Sequence, residues 1–167
     1  MQVQKQRADI EQAWQWALAD GLFGLMRQAS SALGWFYRGM GLLTLGVKAM
    51  RQVSDQKRTI EDDDQLTKLL LTHFLIEETS ITNILGKSPR VILAMEEEIE
   101  LAIALNNDNL LLRAYREYSI ALRRLGQFVD ARHINARALK LAHSVNDPEQ
   151  LASICKRIAN VALDDGN

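Results

Sequence analysis

Arg113, Arg116, Ile120 and Arg123 are spaced 0, 3, 7 and 10 residues apart. If residues 109–125 are helical, this spacing places all four on one side of the helix. A guanidinium offers a planar fork of N–H donors that suits carboxylates and phosphates, so the chemistry this stripe suggests is anion recognition. It sits in the basic segment 113–140, where Arg124, Arg132, Arg137 and Lys140 are added and Glu117 and Asp130 oppose them. A solvated helix face, with arginines paired to local glutamates, is the other reading of the same residues. The middle of the chain is acidic, with Glu61–Asp64, Glu77, Glu78, Glu96–Glu98 and Glu100. The run from Glu96 to Glu100 reads as plain surface.

Covalent and metal chemistry find little support. A nucleophile needs a base beside it, and a general acid/base pair needs two groups in one pocket. His73, His133 and His143 have no strong metal-ligand spacing and read as solvated or partly packed histidines. The lone cysteine, Cys155, precedes Ile158 and Ala159 on an expected packing face and reads as a small buried residue. Gly39-Met40-Gly41 lacks the lysine and the strand context of a phosphate loop. The chain is therefore expected not to be an enzyme and to hold no metal or cofactor.

The elements that would position these residues are helical. The chain has 167 residues, 25 of them Leu and 19 Ala, against 7 Val and 6 Thr. Leu and Ala favour helices, whereas Val and Thr favour strands. A net charge of −1 gives no global attraction to nucleic acid or an anionic membrane. One cysteine excludes an internal disulfide framework. Uncharged runs of about ten residues, such as Gln28–Tyr37, fall far short of a bilayer span. A reduced, cytoplasmic setting without membrane contact is expected.

The spacing predicts helices over 7–19, 22–38, 42–54, 60–85, 88–106, 109–125, 128–145 and 148–164, with Asp55–Asp64 a loop. Ser88-Pro89 and Asp147-Pro148 each read as a capping residue followed by proline at the first helical position. Gln150 is placed to close a capping box with Asp147. Gly86 and Gly126 read as helix-terminating glycines. Short connections make neighbouring helices antiparallel, so the fold class is all-α, built of stacked helical hairpins.

A period near 40 runs through the chain. Leu85-Gly86, Leu125-Gly126 and Asp165-Gly166 are 40 residues apart, as are Leu101-Ala102 and Leu141-Ala142, with Asn106 and Asn146 following. Two-helix repeats of this length form solenoids, because each hairpin buries its apolar face against its neighbours. These residues resemble tetratricopeptide repeats. Leu33-Gly34 with Tyr37, Gly41, Leu43 and Gly46 is similar to that family's pattern, as are Tyr118-Ser119, Leu122, Gly126, Phe128, Ala131 and Ala138. Ile158-Ala159, Ala162 and Gly166 open a further repeat that stops at its first helix, and Glu77, Glu78 and Thr79 depart from the pattern. The opening stretch Asp9–Leu18, with Ala32–Gly39, resembles the segment entering the repeat region of bacterial signal-transduction ATPases and large transcriptional regulators.

The resemblance implies a right-handed superhelix, an α-solenoid. Residues 1–21 would be a capping helix, 22–54, 60–106 and 109–145 hairpins, and 148–167 the helix of an incomplete repeat. It also implies a concave groove lined by first-helix residues: Arg113, Arg116, Ile120, Arg123, Lys156, Asn160, Trp35 and Arg38. Lys156 and Asn160 stand where some family members grip a peptide's terminal carboxylate. Trp35 is either an apolar anchor in that groove or is covered by the helix carrying Trp14 and Trp16. The implied function is non-catalytic binding of a protein segment, acidic in character, within a larger bacterial signalling protein. The alternatives are an effector-sensing segment that binds a small molecule or its own domains and, less well supported, nucleic-acid binding along the arginines. An apolar face on the last helix leaves homodimerisation open.

Overall fold

The computed structural model describes residues 2–58, 64–86 and 89–166. Among them are eight helices and no strand: α1 (Gln2–Ala19), α2 (Phe23–Gly39), α3 (Leu43–Arg58), α4 (Gln65–Leu85), α5 (Pro89–Ala104), α6 (Asp108–Arg124), α7 (Phe128–Ser144) and α8 (Pro148–Asp164). None is long and apolar enough to cross a membrane.

Local chemistry sets the helix ends. The side chains of Asp64, Asn107 and Asp147 accept hydrogen bonds from Thr67, Leu110 and Gln150 N–H, respectively, which satisfies donors that a helix N-terminus leaves open. The capping box expected at Asp147 is not closed, because its own N–H donates to Ala142 O. Asn106, Gly126, Asn146 and Gly166 all have positive φ, between 48° and 78°. They lie twenty residues apart, each just past a helix, so the repeat is one helix plus one left-handed turn. Gly and Asn are the residues that tolerate that turn with least strain. Gly86 departs, with φ 123° and ψ −162°. The loop expected from Asp55 begins later, because α3 continues to Arg58, and the Ser88 cap lies outside the described residues.

Each helix packs on the next, and α2, α4, α6 and α8 also pack on one another in series. The even-numbered helices therefore form a continuous row, with α3, α5 and α7 bridging successive members. One apolar cluster joins α1 to α4 around Met26, Tyr37, Met50, Val53 and Phe74. A second runs through α4 to α8 around Ile76, Leu112, Tyr115, Leu122, Ile134 and Ile154. Each fully buried aromatic or aliphatic side chain of this kind contributes about 1.5–3 kcal/mol.

Helix α4 belongs to both clusters and is enclosed on nearly every side. Thr72 through Glu77 are all buried, as are Thr79, Ile81 and Asn83. A helix hidden all round has no polar face to show, which explains why Glu77 and Thr79 depart from the repeat pattern: they are buried polar positions. Glu77 accepts from Ser31 Oγ at 2.8 Å and from Arg113 Nη2 at 2.6 Å. Gly34 of α2 makes room for it, since a Cβ there would lie 3.0 Å from Glu77 Oε2.

Candidate functional site

Helices α6 and α8 pack directly together, and a cleft of about 280 Å³ opens between their outer faces. From α6 come Arg116, Ser119, Ile120, Arg123 and Arg124; from α8 come Ser153, Lys156, Arg157 and Asn160. Five of the eight residues expected to form the groove meet here: Arg116, Ile120, Arg123, Lys156 and Asn160. They do so because α8 buries the stripe Ile154, Arg157 and Val161 while α6 buries Tyr115, Ser119 and Leu122 among other residues, and the exposed and half-exposed positions beside them on the two helices are left facing each other.

Two carboxylates answer part of this charge. Arg116 donates to Glu117 Oε1 at 2.9 Å, and the buried Glu117 also accepts from Asn83 Nδ2 at 3.1 Å. Arg123 Nη1 donates to Asp164 Oδ2 at 2.5 Å. Arg157 is only 8% exposed and is the least satisfied group. Its Nη1 donates to Ser153 Oγ at 2.9 Å, while Nε and Nη2 are buried without a partner. Burial, reinforced by the charge of Arg116 and opposed by Glu117, lowers its pKa to about 10. Arg157 was not among the expected groove residues. Its only signal in the sequence is an arginine three residues from Ile154 and four from Val161, on the apolar stripe of α8.

The remaining expected site residues lie elsewhere. Arg113 is held by Glu77 on α4 and does not line the cleft. Arg38 donates from Nη1 to Ser80 Oγ at 3.2 Å. Trp35 is 76% exposed, and the α1 helix does not cover it. It lies two positions from both Leu33 and Tyr37, which are buried, so it points away from the face that α2 packs. Of the α1 tryptophans, Trp14 is the buried one, donating from Nε1 to Ala49 O at 3.2 Å and meeting Phe74 edge-on, while Trp16 is 61% exposed.

Two further expectations are corrected. Cys155 is exposed, because the buried stripe of α8 runs through Ile154 and Arg157 rather than through Cys155, Ile158 and Ala159. Glu98, expected on the surface with its acidic neighbours, has no exposed area, and neither carboxyl oxygen has a hydrogen-bond partner. It shares one face of α5 with Val91 and Met95, while Glu96, Glu97 and Glu100 point elsewhere.

His73 is buried, with Nε2 2.7 Å from Ser30 Oγ. A serine beside a histidine suggests a nucleophile and its base. Here the Ser30 hydroxyl also donates to Arg27 O at 2.8 Å. The pair ties α2 to α4. Burial, with Arg113 and Arg27 nearby and Glu77 opposing, lowers the His73 pKa to about 4. His133 and His143 are exposed, and no group of three or more metal-ligating side chains occurs among the described residues. In comparisons with protein-family models, curated proteins and solved structures, the chain matches none of them.

Proposed function

We propose that this chain is a tetratricopeptide-like, non-catalytic interaction module that binds an acidic segment of a protein partner along the α6–α8 cleft. The observation that carries this reading is the meeting of Arg116, Ile120 and Arg123 of one helix with Lys156 and Asn160 of another on one open surface. Lys156 is exposed, and neither Lys156 nor Asn160 makes a side-chain hydrogen bond or ion pair within the described chain, so both are available to a partner. A groove held by helix packing is formed before the ligand arrives, which lowers the ordering cost of binding. Ammonium and guanidinium donors would supply charge-assisted hydrogen bonds, and Ile120 an apolar contact.

The test is selection of peptides from a random display library on the purified chain, with affinities then measured by titration calorimetry. Acidic peptides are expected to be enriched and to lose about tenfold or more in affinity to a Lys156→Ala, Asn160→Ala variant. No enrichment, or equal affinity for the variant, would overturn the reading.

A further inference from the structure

We propose that the α6–α8 cleft is a site for a doubly charged phosphate group, with Arg157 as its buried electrostatic floor. The inference deepens the peptide-binding reading and rests on it for the direction of approach. Five basic side chains line the cleft, and among the described residues Glu117 and Asp164 are the carboxylates that pair with them. Arg124 and Lys156 make no ion pair within the described chain, and Arg157 carries a buried charge with two nitrogens unpartnered. A buried charge without a counter-ion is costly, and it acts strongly on a charge brought nearby because little water lies between.

A single carboxylate would leave much of this excess unanswered. A phosphate monoester brings nearly two charges and three acceptor oxygens pointing in different directions. The donors here also differ in kind and direction: guanidinium from Arg116 and Arg123 on α6, ammonium from Lys156 and amide from Asn160 on α8. These exposed and half-exposed groups would touch the phosphate, while Arg157 acts from beneath as a positioning residue through its field. The phosphate could be carried on a side chain of the docked segment or be free in solution.

The probes are inorganic phosphate, N-acetyl-phosphoserine amide and N-acetyl-glutamate amide, titrated into the full chain by calorimetry and followed by melting temperature. Wild type is compared with Arg157→Met, Lys156→Ala and Lys48→Ala, the last removing one exposed charge far from the cleft. The phosphate compounds are expected to saturate and raise the melting temperature, and the phosphoserine probe to bind at least about tenfold tighter than the glutamate probe. Arg157→Met should weaken binding about tenfold while leaving the ligand-free melting temperature unchanged or higher, a combination that a packing role alone would not produce. Lys156→Ala should also weaken it, and Lys48→Ala should not. Tighter binding of phosphoserine than of inorganic phosphate identifies a phosphorylated side chain as the source; the reverse identifies free phosphate.

Equal affinity for glutamate and phosphoserine, undiminished binding by a folded Arg157→Met, or equal weakening by Lys48→Ala would overturn the proposal. If acidic peptides bind and phosphate does not, the peptide-binding reading stands and this one falls. If phosphate saturates and no peptide binds, the phosphate site stands without it.

Discussion

Gly46 of α3 lies flat against Tyr37 of α2: a Cβ at Gly46 would come within 2.9 Å of Tyr37 Cβ and 3.1 Å of Ile81 Cδ1. This is the closest approach that any helical glycine in the described chain makes to another helix. It fixes the spacing of α2, α3 and α4. Gly24, near the start of α2, has nothing within 4 Å of an added Cβ.

The two glycines should respond to alanine in opposite ways. Alanine favours a helix over glycine by about 1 kcal/mol, and Gly24→Ala should raise stability by about 0.5–1 kcal/mol. Gly46→Ala gains the same propensity but forces α2 and α3 apart, and overpacking of this kind costs about 1–3 kcal/mol. The prediction is a net loss at Gly46, read from urea unfolding midpoints. A gain at both sites would refute the close approach.

The Arg113–Glu77 pair links α6 to α4, with the Glu77 side chain only 4% exposed. Removing the cation leaves a buried carboxylate held by Ser31 alone. Arg113→Met should therefore cost about 2–3 kcal/mol, somewhat less than a fully buried pair because Arg113 is partly exposed. Arg7→Met, which breaks the exposed Arg7–Glu11 pair within α1, should cost less than about 0.5 kcal/mol. Equal losses in denaturant melts would count against a special role for Glu77.

Acid should act through His73. Its pKa falls from about 6.5 in the unfolded chain to about 4 in the fold. The unfolded state therefore binds the extra proton between those values. The neutral ring's contribution is present above about pH 6.5 and is lost as pH falls toward 4, a swing of about 3 kcal/mol. Substitution of His73→Gln, which keeps a hydrogen-bonding group toward Ser30, should flatten this part of the stability profile relative to wild type. Parallel profiles would show that His73 is not held neutral by the fold.

Glu98 should act in the opposite sense. Burial, reinforced by the charges of Glu117, Glu78 and Glu97, holds its carboxyl well above the usual range. Its contribution is complete below about pH 4.5, the unfolded value, and is lost as pH rises through the folded value. Glu98→Met removes a buried acid while keeping most of its volume, so it should stabilise the chain at pH 7 by about 1–3 kcal/mol. The gain should shrink near pH 4. Destabilisation at both pH values would show that the carboxyl has a structural role.

Much of this architecture is legible in the residues themselves. The 40-residue period and the glycine and asparagine at each left-handed turn, such as Asn106 and Gly126, are local matters, because the conformational cost of those turns is set by the residue occupying them. Helix positions follow from the same chemistry, with Asp147 capping α8 as its spacing predicts. The stripe Arg116, Ile120 and Arg123 is likewise local, since helical periodicity alone puts its members on one side. What α6 faces is not local. Arg113 shares that stripe yet is taken by Glu77, because α4 packs beneath the first turns of α6. Glu98 reads as surface charge in a window of ten residues, and Arg157 gives almost no signal there; both are buried in the fold. Trp35, for which the residues alone left open a groove anchor or a covered side chain, stays exposed on α2, and the tryptophan that α1 buries is Trp14, which reaches Ala49 of α3. The residue types determined which segments coil and where they turn. Only the stacking of α4, α6 and α8 decided which charges lost their water, because desolvation depends on every surface that closes over a group and not on its neighbours in the chain.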